Sequence, residues 1–150
     1  MSHPPTETVH GTAIALGGKA ALIRGASGSG KSDLALRCIA MPQLAHIPSR
    51  AELLADDQVC LLAKGGTIEA SPPPTIAGKI EVRGLGIVTL PHRAAARLAL
   101  VVDLVTAGDV PRYPLDATSA NYLGIEVPLL RLAPFESSSP VKLILALDAA

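Results

Sequence analysis

Aromatic side chains are almost missing: the 150 residues hold no tryptophan, two tyrosines (Tyr113 and Tyr122) and one phenylalanine (Phe135). The core must therefore be aliphatic, and the row of rings on which single-stranded nucleic acid binders stack bases is excluded. A surplus of basic charge is missing as well, since 13 Lys and Arg balance 13 Asp and Glu. Proteins that grip a phosphate backbone carry such a surplus, so nucleic acid is not an expected partner. Cysteine is scarce. Cys38 and Cys60 are too few for a disulfide framework and fit no metal-ligand cluster, so they read as buried free thiols of a reducing cytoplasm. No apolar run approaches the roughly 18 residues of a membrane span, and no basic-then-apolar leader opens the chain. The expectation is a cytoplasmic protein without a membrane partner.

What is abundant is aliphatic bulk. With 49% hydrophobic and 17% charged residues the chain can bury a core and is not a disordered segment. Residues 1–9, with Pro4 and Pro5, are expected to be a disordered lead-in, and 10–150 a single domain.

The most informative stretch is Gly25-Ala26-Ser27-Gly28-Ser29-Gly30-Lys31-Ser32, a complete phosphate-binding P-loop of the form G-x-x-x-x-G-K-[ST]. The apolar run Ala20–Ile23 precedes it as a strand, and Ser32–Ala40 follows as a helix whose Leu34, Cys38 and Leu36 turn toward a core. The loop thus ends on a helix N-terminus, where backbone N–H groups without partners form an anion cradle. Lys31 is expected to reach the β- and γ-phosphates of ATP, and the Ser32 hydroxyl to ligate Mg²⁺, which takes oxygen ligands.

Elsewhere, His10–Leu16 and Lys19–Arg24 read as a hairpin around Gly17-Gly18. Strands are expected at 52–55, 58–63 and 67–70, a loop at 42–49, and a broken strand over 80–90 with Gly84 and Gly86 at the break. Arg97–Val105, rich in valine and leucine, reads as a central strand. Residues 107–122 read as a mobile lid, 126–132 as a last strand, and Ser139-Pro140 as the N-cap and first position of a closing helix. The fold class is α/β: a mixed β-sheet containing the P-loop, with flanking helices.

A P-loop alone does not separate kinase, ATPase and GTPase. Asp56-Asp57 follows the apolar Leu53-Leu54-Ala55, where one carboxylate could hold Mg²⁺ through water and its neighbour could accept the proton of an attacking hydroxyl. Asp103 ends a similar apolar run, and pattern alone does not rank the two.

The segment Glu81-Val82-Arg83-Gly84-Leu85-Gly86-Ile87, preceded by Gly78, resembles the signature of bacterial HPr kinase/phosphorylase. His10-Gly11, the P-loop and Leu54-Ala55-Asp56-Asp57 match further motifs of that family in the same order, over residues 10 to about 90. The resemblance implies the family's catalytic-domain fold and an ATP- and Mg²⁺-dependent kinase that phosphorylates a serine of HPr, the phosphocarrier of the phosphotransferase system. It also implies the reverse reaction, in which inorganic phosphate attacks phosphoserine and releases pyrophosphate. By motif position Asp57 is the base, Lys31 holds phosphate, Ser32 and Glu81 surround the metal, and His10 joins the catalytic group, which leaves Asp56 as the metal carboxylate of the acidic pair. Arg112, in Pro111-Arg112-Tyr113-Pro114, lies where the family carries a loop arginine.

Departures from the family pattern bear on partners. Its longer members add an N-terminal domain and C-terminal helices that dock HPr and build a hexamer, so the chain resembles a short form, with self-association an open expectation. The spacing of 24 between Ser32 and Asp56 exceeds the family's, with 42–49 as the expected insertion. A nucleotide-sensing module that signals without transferring phosphate is the alternative.

Overall fold

The computed structural model describes residues 3–113 and 118–150. In chain order its elements are β1 (Thr6–His10), β2 (Thr12–Leu16), β3 (Lys19–Arg24), α1 (Lys31–Ala40), β4 (Ala51–Ala55), β5 (Gln58–Lys64) and β6 (Thr67–Ser71). They continue with β7 (Lys79–Val82), β8 (Gly86–Thr89), β9 (Ala96–Leu104), β10 (Ser119–Tyr122), β11 (Ile125–Leu132) and α2 (Ser139–Ala149). Nine strands make one mixed sheet in the order β1-β5-β6-β9-β3-β2-β4, with β11 also on β9 and β10 on β11. The β7–β8 hairpin stands apart.

β3 sits inside the sheet, antiparallel to β2 and parallel to β9. Both of its faces are buried, as its unbroken apolar run demands. Because side chains alternate along a strand, Ala21 and Ile23 join Ile14 and Leu16 on one face, while Ala20 and Leu22 join Ala13 and Ala15 on the other. The first face is covered by the helices. Leu34, Ala35 and Cys38 of α1 and Leu143, Ile144 and Leu147 of α2 recur at three- and four-residue spacing and are all buried there.

The second face has no helix. It is closed by the sheet itself, which curls so that Val59 and Leu61 of β5, Ile68 and Ala70 of β6, Leu54 of β4 and Val127 of β11 pack against the small residues of β2 and β3. Ala99 of β9 is skipped in the pairing with β3, which runs Ala20 to Leu98 and then Ala21 to Leu100. That bulge puts Ala99 and Leu100 together on the helix side and adds the local bend that curling requires.

Four expectations are corrected. The lead-in is ordered from Thr6: β1 pairs antiparallel with β5, from Thr6 opposite Leu62 to His10 opposite Gln58, because backbone groups along that edge find a ladder that no local sequence signal announces. Within the expected lid, Ser119–Tyr122 is strand β10, paired with β11; residues 114–117 lie outside the described ones. Ser139 is not an N-cap. It lies inside α2, with Ser138 at the cap position, and its buried hydroxyl donates to the Ala133 carbonyl. Cys60 is half-buried rather than buried. The 42–49 segment is a loop as expected, plugged into the core by Ile47, which is 2% exposed. Among the described residues no helix is long and apolar enough to cross a membrane.

Cys38 packs between the two helices, where its thiol faces the Pro140 carbonyl at 3.8 Å. Burial pushes its pKa from the ordinary 9.0 up to about 12, because a thiolate there would lose its water. Between pH 9 and 12 the folded chain therefore keeps a proton that the unfolded chain loses, and stability falls as pH rises, by up to about 1.4 kcal/mol per pH unit from this group. Urea unfolding at pH 8, 9.5 and 10.5 is expected to show a steeper loss of stability for the native chain than for Cys38→Ala. Equal slopes would show that Cys38 does not supply this dependence.

Candidate active site

β3 ends at Arg24 and α1 begins at Lys31, so residues 25–30 make the turn between them. The Ser29 N–H donates to the Ala26 carbonyl at 3.0 Å and closes the loop on itself. Gly30 occupies the N-cap position with φ 103, and no side chain caps the helix. The first N–H groups of α1 therefore have no side-chain acceptor, which is the condition for holding an anion there. Gly30 is required by its left-handed φ, and the absence of a Cβ lets the Phe135 ring approach, since a Cβ there would stand 2.9 Å from Phe135 Cζ. Lys31 is 8% exposed. Its Nζ donates to the carbonyls of Gly25 and Ala26, each at 2.9 Å, leaving one of three ammonium protons for a further acceptor.

The centre of the site is Asp56, 7% exposed. Its Oδ1 accepts from the Ser32 hydroxyl at 2.7 Å and from the Thr12 hydroxyl at 2.9 Å, and its Oδ2 from the Glu81 N–H at 3.0 Å. A buried carboxylate is tolerable only with such donors. Through them β4 is joined to β2, to the start of α1 and to the β7–β8 hairpin. Ser32 gives its proton to Asp56, so its oxygen lone pairs stay available to a metal.

Asp57 stands next to it with φ 69, and the Gln58 N–H donates back to the Asp56 carbonyl at 2.8 Å. This three-residue turn, with a left-handed centre, is rare and strained. It sends the Asp57 side chain outward while Asp56 points in. His10 meets it there, with Nδ1 3.6 Å from Asp57 Oδ1 and side chains 57% and 72% exposed, respectively. The Gly11 N–H donates to the Asp57 carbonyl at 3.0 Å, so β1 and the turn are held together by backbone.

The structure brings Gly25, Ala26, Ser27, Gly28, Ser29, Gly30, Lys31 and Ser32 into one loop, joins Ser32 to Asp56, and sets His10 beside Asp57. It brings Glu81 to Asp56 by its backbone N–H; the residue is exposed. Arg112 lies in an exposed bend, and no hydrogen bond or ion pair among the described residues links it to His10, Lys31 or Asp57. Asp103, the other end-of-strand acid, is engaged elsewhere: Arg24 Nε and Nη2 clamp its two oxygens at 2.7 and 2.8 Å, and Arg24 Nη1 donates to the Tyr122 hydroxyl at 3.1 Å. Hydrogen bonding to Asp103 holds the Arg24 guanidinium more firmly protonated than usual. Asp103 therefore braces the strand end that launches the loop, and the Ser32 hydroxyl goes to Asp56.

Thr12 is the site residue that sequence reading passed over. It is fully buried, and the signal was present, since a lone hydroxyl in the otherwise apolar Thr12–Leu16 calls for a partner. Arg24, a charge closing an apolar run, was a similar signal.

The donor set fits a hard cation. Ser32 Oγ and the Asp56 carboxylate are neutral and anionic oxygens at one point, suited to Mg²⁺, which keeps several waters and needs few protein ligands. No group of three His, Cys, Asp or Glu side chains among the described residues could hold a metal, so the remaining ligands would come from water and phosphate.

These features define a mixed α/β protein with a curled sheet, few helices and a glycine-rich phosphate loop launched from an interior strand. The family model for the HPr Serine kinase C-terminal domain matches residues 2–147, and the chain belongs to that family. It is 34% identical over 139 residues to the HPr kinase/phosphorylase of Cupriavidus metallidurans, an alignment covering 85% of this chain and 40% of the relative. The HPr kinase/phosphorylase of Bordetella petrii is 39% identical over 135 residues, covering 82% and 41%. The structure of the Hpr(Ser) kinase/phosphatase from Coxiella burnetii matches with a TM-score of 0.76 at 25% identity, over 94% of this chain and 93% of that one. The chain thus spans about 40% of the length of the curated relatives it matches.

Thr12→Val removes one donor from the buried Asp56 carboxylate while keeping shape. It is expected to cost about 2 kcal/mol in urea unfolding, as for other hydrogen bonds to buried charge, with Thr12→Ser recovering most of the loss. An unchanged midpoint for Thr12→Val would show that this bond does not hold the site.

Proposed function

We propose that the chain is a protein serine kinase that moves the γ-phosphoryl group of ATP to a serine of HPr or a related phosphocarrier in a reducing cytoplasm. The observation that carries this reading is the division of labour at Asp56-Asp57: one carboxylate is buried on the Ser32 hydroxyl, and its neighbour is exposed beside His10. Membership of the HPr kinase family supports the same reading.

The P-loop N–H groups and Lys31 would hold the triphosphate, exchanging the carbonyl contacts of Lys31 for phosphate oxygen. Mg²⁺, when bound by Ser32 and Asp56 with Glu81 nearby, supplies charge neutralisation on the phosphates. Asp57 would accept the proton of the serine hydroxyl as its oxygen bonds to the γ-phosphorus and the bond to the bridging oxygen breaks. His10 would orient that carboxylate toward the acceptor. Arg112 would steady charge on the transferring group from its loop. Reversal needs no new group: the proton on Asp57 returns to the serine oxygen as inorganic phosphate takes the phosphoryl group and forms pyrophosphate.

Incubation with Mg²⁺-ATP and an HPr-type carrier, followed by intact mass, is expected to show one added phosphoryl group. Asp57→Asn, which tolerates the left-handed turn, should retain nucleotide binding and lower the transfer rate by about 10²- to 10⁴-fold, the usual worth of a general base. Asp103→Asn should retain transfer if the fold persists. Nucleotide binding without transfer to the carrier would favour a sensor that signals without phosphoryl transfer.

A further inference from the structure

One of the three aromatic residues in the chain is on the surface at the P-loop. Phe135 is 70% exposed, yet it is not loose. Its ring edge lies over Gly30, so close that a Cβ there would stand 2.9 Å from Cζ and 3.0 Å from Cε1, with Pro134 Cβ at 3.1 Å. The segment carrying it is fastened on both sides. Arg37, about two turns along α1, donates from Nη2 to the Pro134 carbonyl and from Nη1 to the Glu136 carbonyl at 3.3 Å. Its own Nε is held by Asp33 at 2.9 Å. From the other side, the buried Ser139 hydroxyl donates to the Ala133 carbonyl.

These bonds hold the backbone around Phe135, while the ring itself gains little from folding because most of its surface stays in water. What the arrangement supplies is a flat apolar surface fixed beside the N-terminus of α1. A triphosphate held by residues 25–32 would direct its sugar and base away from the helix N-terminus. We propose that Phe135 is the stacking face for the nucleobase of a nucleotide bound at the P-loop, an inference that rests on the nucleotide reading above. Gly30, needed for the left-handed turn of the loop, also lets the ring sit close. One ring cannot serve a strand of bases, in keeping with the exclusion of nucleic acid, but it suffices for one. Stacking on a single face recognises the presence of a planar base more than its identity, so ATP and GTP should share the contact and a bare polyphosphate should lack it.

Isothermal titration of the native chain, Phe135→Ala and Phe135→Tyr with ATP and with inorganic tripolyphosphate tests this. Phe135→Ala is expected to weaken ATP binding about tenfold, the typical worth of one base–aromatic stack, to leave tripolyphosphate binding unchanged, and to unfold at the native temperature. Phe135→Tyr, which keeps the ring, should bind ATP as the native chain does. Equal weakening of both ligands, or no weakening for ATP, would overturn the stacking role and leave the nucleotide reading intact. A native chain that binds neither ligand would overturn both.

Discussion

The carboxylate of Asp56 is the point on which the site depends. It is buried and charged, and it is tolerable only because donors from three separate elements converge on it: Thr12 from β2, Ser32 from α1 and the Glu81 N–H from β7. Those donors are far apart in sequence, so forming the contact fixes the phosphate loop, the β4–β5 turn and the β7–β8 hairpin relative to one another. Leaving any donor out strands part of a charge away from water. The same contact orients Ser32, whose hydroxyl donates to Asp56 and keeps its own lone pairs free of that bond.

Asp57 shows the opposite arrangement. Its backbone is strained, its side chain is exposed, and its companion His10 is exposed too. Strain of this kind costs on the order of 1–3 kcal/mol and persists where surrounding structure enforces it. Here the enforcement is the β1–β5 ladder and the Gly11 bond to the Asp57 carbonyl. Asp56 is buried and Asp57 exposed, one residue apart, because the tight turn between β4 and β5 sends the two side chains to opposite sides.

The sheet explains how so few aromatic residues suffice. Alanines at 13, 15 and 20 leave room on one face of β2 and β3 for β5 and β6 to curl over them, and the bulge at Ala99 supplies the bend. The other face takes the leucines and isoleucines of the two helices. Close packing of small against branched residues substitutes for ring bulk.

The sequence by itself determined the elements whose causes are local. The P-loop and its helix, the apolar β3 and β9 and the acidic pair all follow from residue type and short-range spacing. The edge strand β1 was not legible in Thr6–His10, since it is a strand only because β5 offers a free ladder, and such pairing leaves no local periodicity. The choice between Asp56 and Asp103 was not legible either. Both end apolar runs, and what separates them is a bidentate bond from Arg24 to one and a hydroxyl from Ser32 to the other. Those contacts join residues dozens of positions apart. Hydrogen bonds are directional and short, so only the tertiary structure, by placing donors within 3 Å, decides which acid braces the fold and which meets the phosphate loop.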